Sequence, residues 1–125
     1  MKWKIALTLY TAFIATVFIL AYIGLIPNKL NGIPYYDSVG HFALYGLWGF
    51  FLAKVFNKSI LSIAKLQVQL GILLIIPFAI AEEFLQLLFP IRSFSFFDMG
   101  WGIAGIITAC IIINQANLRS ANTDI

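Results

Sequence analysis

The chain has 125 residues, of which 62% are hydrophobic and 10% charged, and its mean hydropathy is +0.95. Soluble domains are about half apolar and about a quarter charged, and here eight basic and five acidic side chains are too few to clothe a domain of this size in polar surface. A soluble monomer is excluded, and lipid is the natural solvent. The formal net charge of +3 does not point to nucleic acid, because the basic residues are scattered among apolar segments and make no stripe with interleaved aromatics. A spanning helix needs about 20 apolar residues, so four or five spans at most fit, and a large catalytic domain outside the membrane does not.

The first span is expected over Ile5 to Ile26, 22 residues without a charge. The preceding Lys2 and Lys4 resemble the start of a secretory signal, but the apolar stretch is too long and no small-x-small cleavage site follows, so a retained anchor is expected. Pro27, Asn28, Asn31, Gly32 and Pro34 make a loop. A second span follows from Val39 to Phe56, and Asn57 to Gln67 reads as a connection lying along the interface as a short amphipathic turn. The third span covers Val68 to Phe89 with Pro77 near its middle, and the fourth covers Phe96 to Ile113. Residues Asn114 to Ile125 form a polar, frayed cytoplasmic tail. The expectation is one all-α domain, a four-helix membrane bundle with short loops, without internal repeats.

Orientation follows from Lys and Arg counts, since cytoplasmic loops hold an excess of them. The amino end, the middle connection and the tail hold six (Lys2, Lys4, Lys54, Lys58, Lys65, Arg119), against Lys29 and Arg92 in the other two loops. Both termini are therefore expected in the cytoplasm of a multi-pass cell-membrane protein. Cys110, the single cysteine, lies in an apolar run and makes neither an internal disulfide nor a thiolate zinc site.

The polar residues gather towards one end. Asp37, His41 and Tyr45 are four apart and share a helical face at the start of span two. Glu83 and Gln86 share a face late in span three, and at 1.5 Å per residue Glu83 lies about 9 Å below Phe89, inside the apolar layer. Glu82 points about 100° away from Glu83, so it lines the far side of the same cavity or reaches another helix. Arg92, Ser95 and Asp98 occupy the following loop and the start of span four. An ionised group near the bilayer centre costs about 2.5–3.5 kcal/mol on insertion scales, so such groups face the interior and pair.

The pattern Asp37-x3-His41-Phe42-x2-Tyr45, Glu83-x2-Gln86, Arg92-x2-Ser95-x2-Asp98 and Gly105 resembles the VanZ-like family of small membrane proteins, one member of which is associated with teicoplanin resistance. The resemblance covers residues 36–105. It departs at Ser38, where the family pattern has a basic residue, and at Gly102, where it has Asn. What it implies is a multi-span bundle, a polar cluster of Asp37, His41, Glu83, Gln86, Arg92 and Asp98, and a link to the cell envelope.

Three uses of the cluster follow. As a ligand site, Asp37, His41, Tyr45, Glu82, Glu83, Gln86, Arg92, Ser95 and Asp98 engage an outer-leaflet lipid headgroup or lipid-linked cell-wall precursor, with Arg92 suited to phosphate by its bidentate fork. As an enzyme, Glu83 or Asp98 acts as general acid or base and Asp37 holds His41. As structure alone, the network locks helix ends, although interhelical polar contacts in membranes average below about 1 kcal/mol. His41 with Asp37, Glu83 and Asp98 is a mixed nitrogen and oxygen donor set, but a lone histidine among carboxylates is more often hydrogen-bonded than metallated, and no metal or other cofactor is expected. Gly100, Ala104, Gly105 and Ala109 are expected to let helices pack closely. A homo-oligomer is compatible with all three uses.

Overall fold

A computed structural model describes residues 2–24, 36–63, 65–88 and 96–123, with the backbone alone at 36, 37 and 121–123. Four helices dominate: α1 (Lys2–Tyr22), α2 (Tyr36–Val55), α3 (Leu70–Leu85, continued by a 3₁₀ turn at Gln86–Leu88) and α4 (Phe96–Thr123). Between α2 and α3 stands a hairpin of β1 (Ser59–Ile63) and β2 (Leu66–Gln69). Among the described residues, three segments are long and apolar enough to cross a membrane, Lys2–Tyr22, Leu70–Leu88 and Phe96–Ser120. The 20-residue α2 carries Ser38, His41, Tyr45 and Lys54 and is less apolar than these three. Large apolar side chains such as Leu9, Phe13, Ile19, Leu47, Leu74 and Ile111 stand exposed on the helices, a surface suited to lipid.

Side-chain contacts give the directions of the helices. Trp3 meets Phe50 edge-on at 5.8 Å and Phe18 faces Tyr45 at 6.3 Å, so α1 runs antiparallel to α2. Phe18 stacks with Phe78 at 6.4 Å and Tyr22 reaches Glu82, so α1 and α3 run parallel. Ser38 meets Asp98 while Gly46 meets Gly105, so α2 and α4 also run parallel. The helices thus alternate in direction, with the hairpin at one end and the end of α1, start of α2, end of α3 and start of α4 at the other.

The closest approach joins α2 to α4. A Cβ at Gly105 would lie 2.2 Å from the Phe42 carbonyl oxygen, and one at Gly46 would lie 3.1 Å from the Gly105 oxygen, so backbone packs on backbone. Gly71 does the same against Leu52, at 2.3 Å. Gly100, expected to pack closely, faces open space instead. Around these contacts Ala53, Ile72, Ile75, Ala79, Ile106, Cys110 and Ile113 form the apolar core.

Two elements differ from expectation. The connection is a hairpin: Leu66–Gln69 alternates apolar and polar residues and pairs antiparallel with Ser59–Ile63, whose register shifts between Ser59 and Leu61, and Lys65 between the strands takes φ 69°. The segment expected to fray after Ile113 is helical to Thr123, since it contains neither Gly nor Pro to stop it. Asn114 anchors its start, accepting from Gln67 N–H and donating to Gln67 O, both at 2.8 Å, and donating to Cys110 O at 2.8 Å.

Candidate functional site

The polar cluster sits at the end away from the hairpin. On α2, Ser38, His41 and Tyr45 follow one another at three- and four-residue steps and are all buried. On α3, Glu82 and Glu83 are 6% and 1% exposed, and Gln86 caps the same end at 1%. Each side chain is aimed by its helix, and the contacts run between helices.

Glu82 is the hub. Its Oε1 accepts from the Tyr22 hydroxyl at 2.8 Å and its Oε2 from the Tyr45 hydroxyl at 3.1 Å, so one carboxylate ties α3 to both α1 and α2. The sequence left open whether Glu82 lines the cavity or reaches another helix; it reaches two. Glu83 turns towards α2, where its Oε2 lies 3.4 Å from His41 Nε2. The Gln86 amide bridges the carboxylates, with Nε2 at 3.1 Å from Glu82 Oε1, 3.3 Å from Glu82 Oε2 and 3.1 Å from Glu83 Oε2. The His41 and Tyr45 rings lie 6.0 Å apart, closing the wall on α2.

Of the residues expected in the site, His41, Tyr45, Glu82, Glu83 and Gln86 come together. Asp98 is buried at the start of α4, where its Oδ1 accepts from the Ser38 hydroxyl at 2.9 Å. The side chain of Asp37 lies outside the described residues, as do Arg92 and Ser95 entirely. The acid–base scheme placed His41 against Asp37, whose side chain lies outside the described residues; Glu83 also stands beside His41.

Two participants were not singled out from sequence. Tyr22 is a lone hydroxyl at the end of an apolar helix, and no spacing ties it to Glu82, 60 residues away. Ser38 stood out as a departure from the resembled pattern and as a nearby hydroxyl, and not as a partner of Asp98, to which it donates. The second departure, Gly102, has a physical reason in this chain: a Cβ there would come within 3.1 Å of the Tyr45 ring, so the missing side chain makes room for the tyrosine that donates to Glu82.

A cleft of about 560 Å3 opens between α1 and α3. Phe18, Ile19, Ile23, Phe78 and Leu85 give it apolar walls, and Tyr22 and Glu82 stand in the same lining. The hub carboxylate therefore borders both the buried network and an apolar space that faces the side of the protein. The donors in reach, carboxylate, imidazole, phenol and amide, can bind hydroxyl or amino groups, exchange a proton, or hold a cation. Comparison with protein-family models, with characterised proteins and with solved structures finds no match to this chain.

Proposed function

We propose that the chain is a VanZ-like integral membrane protein of the cell envelope, a four-helix bundle with both termini cytoplasmic, whose polar cluster binds an outer-leaflet lipid headgroup or a lipid-linked cell-wall component. The observation that carries this reading is the double position of Glu82, in the network with Tyr22, Tyr45 and Gln86 and in the wall of the apolar cleft. A ligand with a hydrocarbon chain and a polar head matches that arrangement: the chain lies between Phe18 and Leu85, and the head exchanges hydrogen bonds with the buried donors and acceptors. Buried ionisable groups in spans mark binding or transfer sites more often than glue, because polar contacts there stabilise little. The motif resemblance extends the reading to teicoplanin susceptibility.

The test is native mass spectrometry of detergent-purified protein exposed to envelope lipid extract. Wild type should retain a lipid species that is lost in folded His41→Ala, Glu83→Gln and Arg92→Ala variants. It should also be lost in Ala81→Phe, which fills the cleft beside the network without removing a polar group. A wild type that retains no specific lipid, together with variants that lose only thermal stability, would reduce the cluster to a structural lock. The 3.4 Å approach of His41 to Glu83 favours a second reading, acid–base catalysis on the same lipid-linked substrate, for which product accumulating with time is the mark.

A further inference from the structure

We infer that His41, Glu82 and Glu83 form a binding site for a first-row divalent metal ion, a reading that stands on the triad itself and not on the lipid ligand. One donor atom from each residue lies within 4.8 Å of the other two, and all three side chains are buried. The donors are unlike: an imidazole nitrogen and oxygens of two carboxylates, the set that suits zinc or manganese rather than calcium, which takes oxygen ligands. This separates the triad from an ordinary acidic cluster.

One edge of the triad already has the spacing of a metal site. In a tetrahedral site with bonds of about 2.0–2.2 Å, neighbouring ligand atoms stand about 3.3–3.5 Å apart, and His41 Nε2 lies 3.4 Å from Glu83 Oε2. That spacing is longer than the about 2.7–2.9 Å of a strong charge-assisted hydrogen bond. Two carboxylates and a neutral imidazole sum to the charge that a divalent ion cancels, which removes the cost of holding paired anions in a low-dielectric interior.

The surroundings are those of ligands held in place. Tyr22 and Tyr45 donate to the two oxygens of Glu82 and fix its plane, as outer partners do around metal ligands. Gln86 already reaches both carboxylates, and rotation of its amide by half a turn would present an oxygen where Nε2 now lies, a fourth donor. The apolar cleft borders the site at Glu82.

The experiment uses the full chain, purified in detergent without a histidine tag, so that His41 is its only imidazole. Metal content after dialysis against Zn2+ or Mn2+ should approach one ion per chain in wild type. It should fall at least tenfold in His41→Ala and Glu83→Gln. Tyr45→Phe, which keeps all three ligands, should bind about tenfold more weakly. Because a ligand variant can fail to fold, wild type is also titrated with Co2+, whose visible bands should show bound nitrogen and oxygen donors and disappear on adding Zn2+. Wild type that binds no ion and gives only the spectrum of aqueous cobalt overturns the site, as does equal binding by a folded His41→Ala variant. Lipid retained by protein that holds no metal would remove this inference and leave the headgroup reading standing.

Discussion

His41 Nε2 and Glu83 Oε2 face each other across α2 and α3 at 3.4 Å, with the two side chains 11% and 1% exposed. Removing one partner of such a contact leaves the other buried polar group short of it, which costs about 1–3 kcal/mol, whereas removing both polar groups together costs far less. His41→Ala should therefore lower the melting temperature in detergent more than Glu83→Gln, in which the amide keeps shape and hydrogen-bonding capacity. The double variant should recover part of the loss. Additive losses in that cycle would show that the two side chains do not couple.

Glu82 accepts from Tyr22 on one oxygen and Tyr45 on the other. Hydrogen bonds between spanning helices average about 0.6 kcal/mol and reach about 1.7, so Tyr22→Phe and Tyr45→Phe should each cost about 1 kcal/mol. The double variant should cost more than the sum, because the carboxylate then loses both hydroxyl donors. Thermal denaturation of the four proteins measures this, and a double variant no worse than either single one would remove Glu82 from the role of hub.

The convergence of His41, Tyr45, Glu83 and Gln86 was legible because three- and four-residue spacing on a helix is a statement about faces, and polar faces in an apolar chain must turn inward. Which neighbour each face meets was not legible. The angle between Glu82 and Glu83 separates them but does not say that one finds Tyr22 and Tyr45 and the other His41. Tyr22 and Ser38 escaped because a single hydroxyl carries no period. The hairpin escaped because β1, Ser-Ile-Leu-Ser-Ile, does not alternate, and the four alternating residues of β2 are too few to compete with the apolar spans around them. The continuation of α4 was written in the absence of Gly and Pro after Ile113, a signal outweighed by the polarity of that segment.

The hairpin holds strain at Lys65. Lys65 has φ 69°, a left-handed conformation that costs an ordinary side chain about 1–2 kcal/mol and glycine nothing comparable. Lys65→Gly should therefore leave the melting temperature unchanged or raise it slightly, despite the greater freedom of glycine in the unfolded chain. A marked fall would mean that the lysine side chain itself holds the hairpin.

The lysine and arginine distribution predicts that the loop after α1 faces outward. In a Cys110→Ala background, Asn31→Cys should react with a membrane-impermeant maleimide on intact cells, while a cysteine at Ser62, in the hairpin, should react only after permeabilisation. The reverse pattern would invert the protein and put the Glu82 end on the cytoplasmic side.

Glycines of α4 test whether the α2–α4 contact is a backbone contact. At Gly105 an added Cβ would stand 2.2 Å from the Phe42 carbonyl oxygen, which cannot yield without moving α2 as a whole. Overpacking by a methyl group costs about 1–3 kcal/mol where side chains can adjust, so Gly105→Ala should exceed that range and abolish the folded protein or lower its melting temperature sharply. Gly100 lies five residues earlier with nothing within 4 Å, and there alanine gains helix propensity worth up to about 1 kcal/mol. Gly100→Ala should be neutral or stabilising. Displacing α2 as a whole would shift Ser38 against Asp98 on α4 and Tyr45 against Glu82 on α3. A folded Gly105→Ala protein should thus lose ligand binding along with stability, and two alanine variants of equal stability would show that the helices do not meet at Gly105.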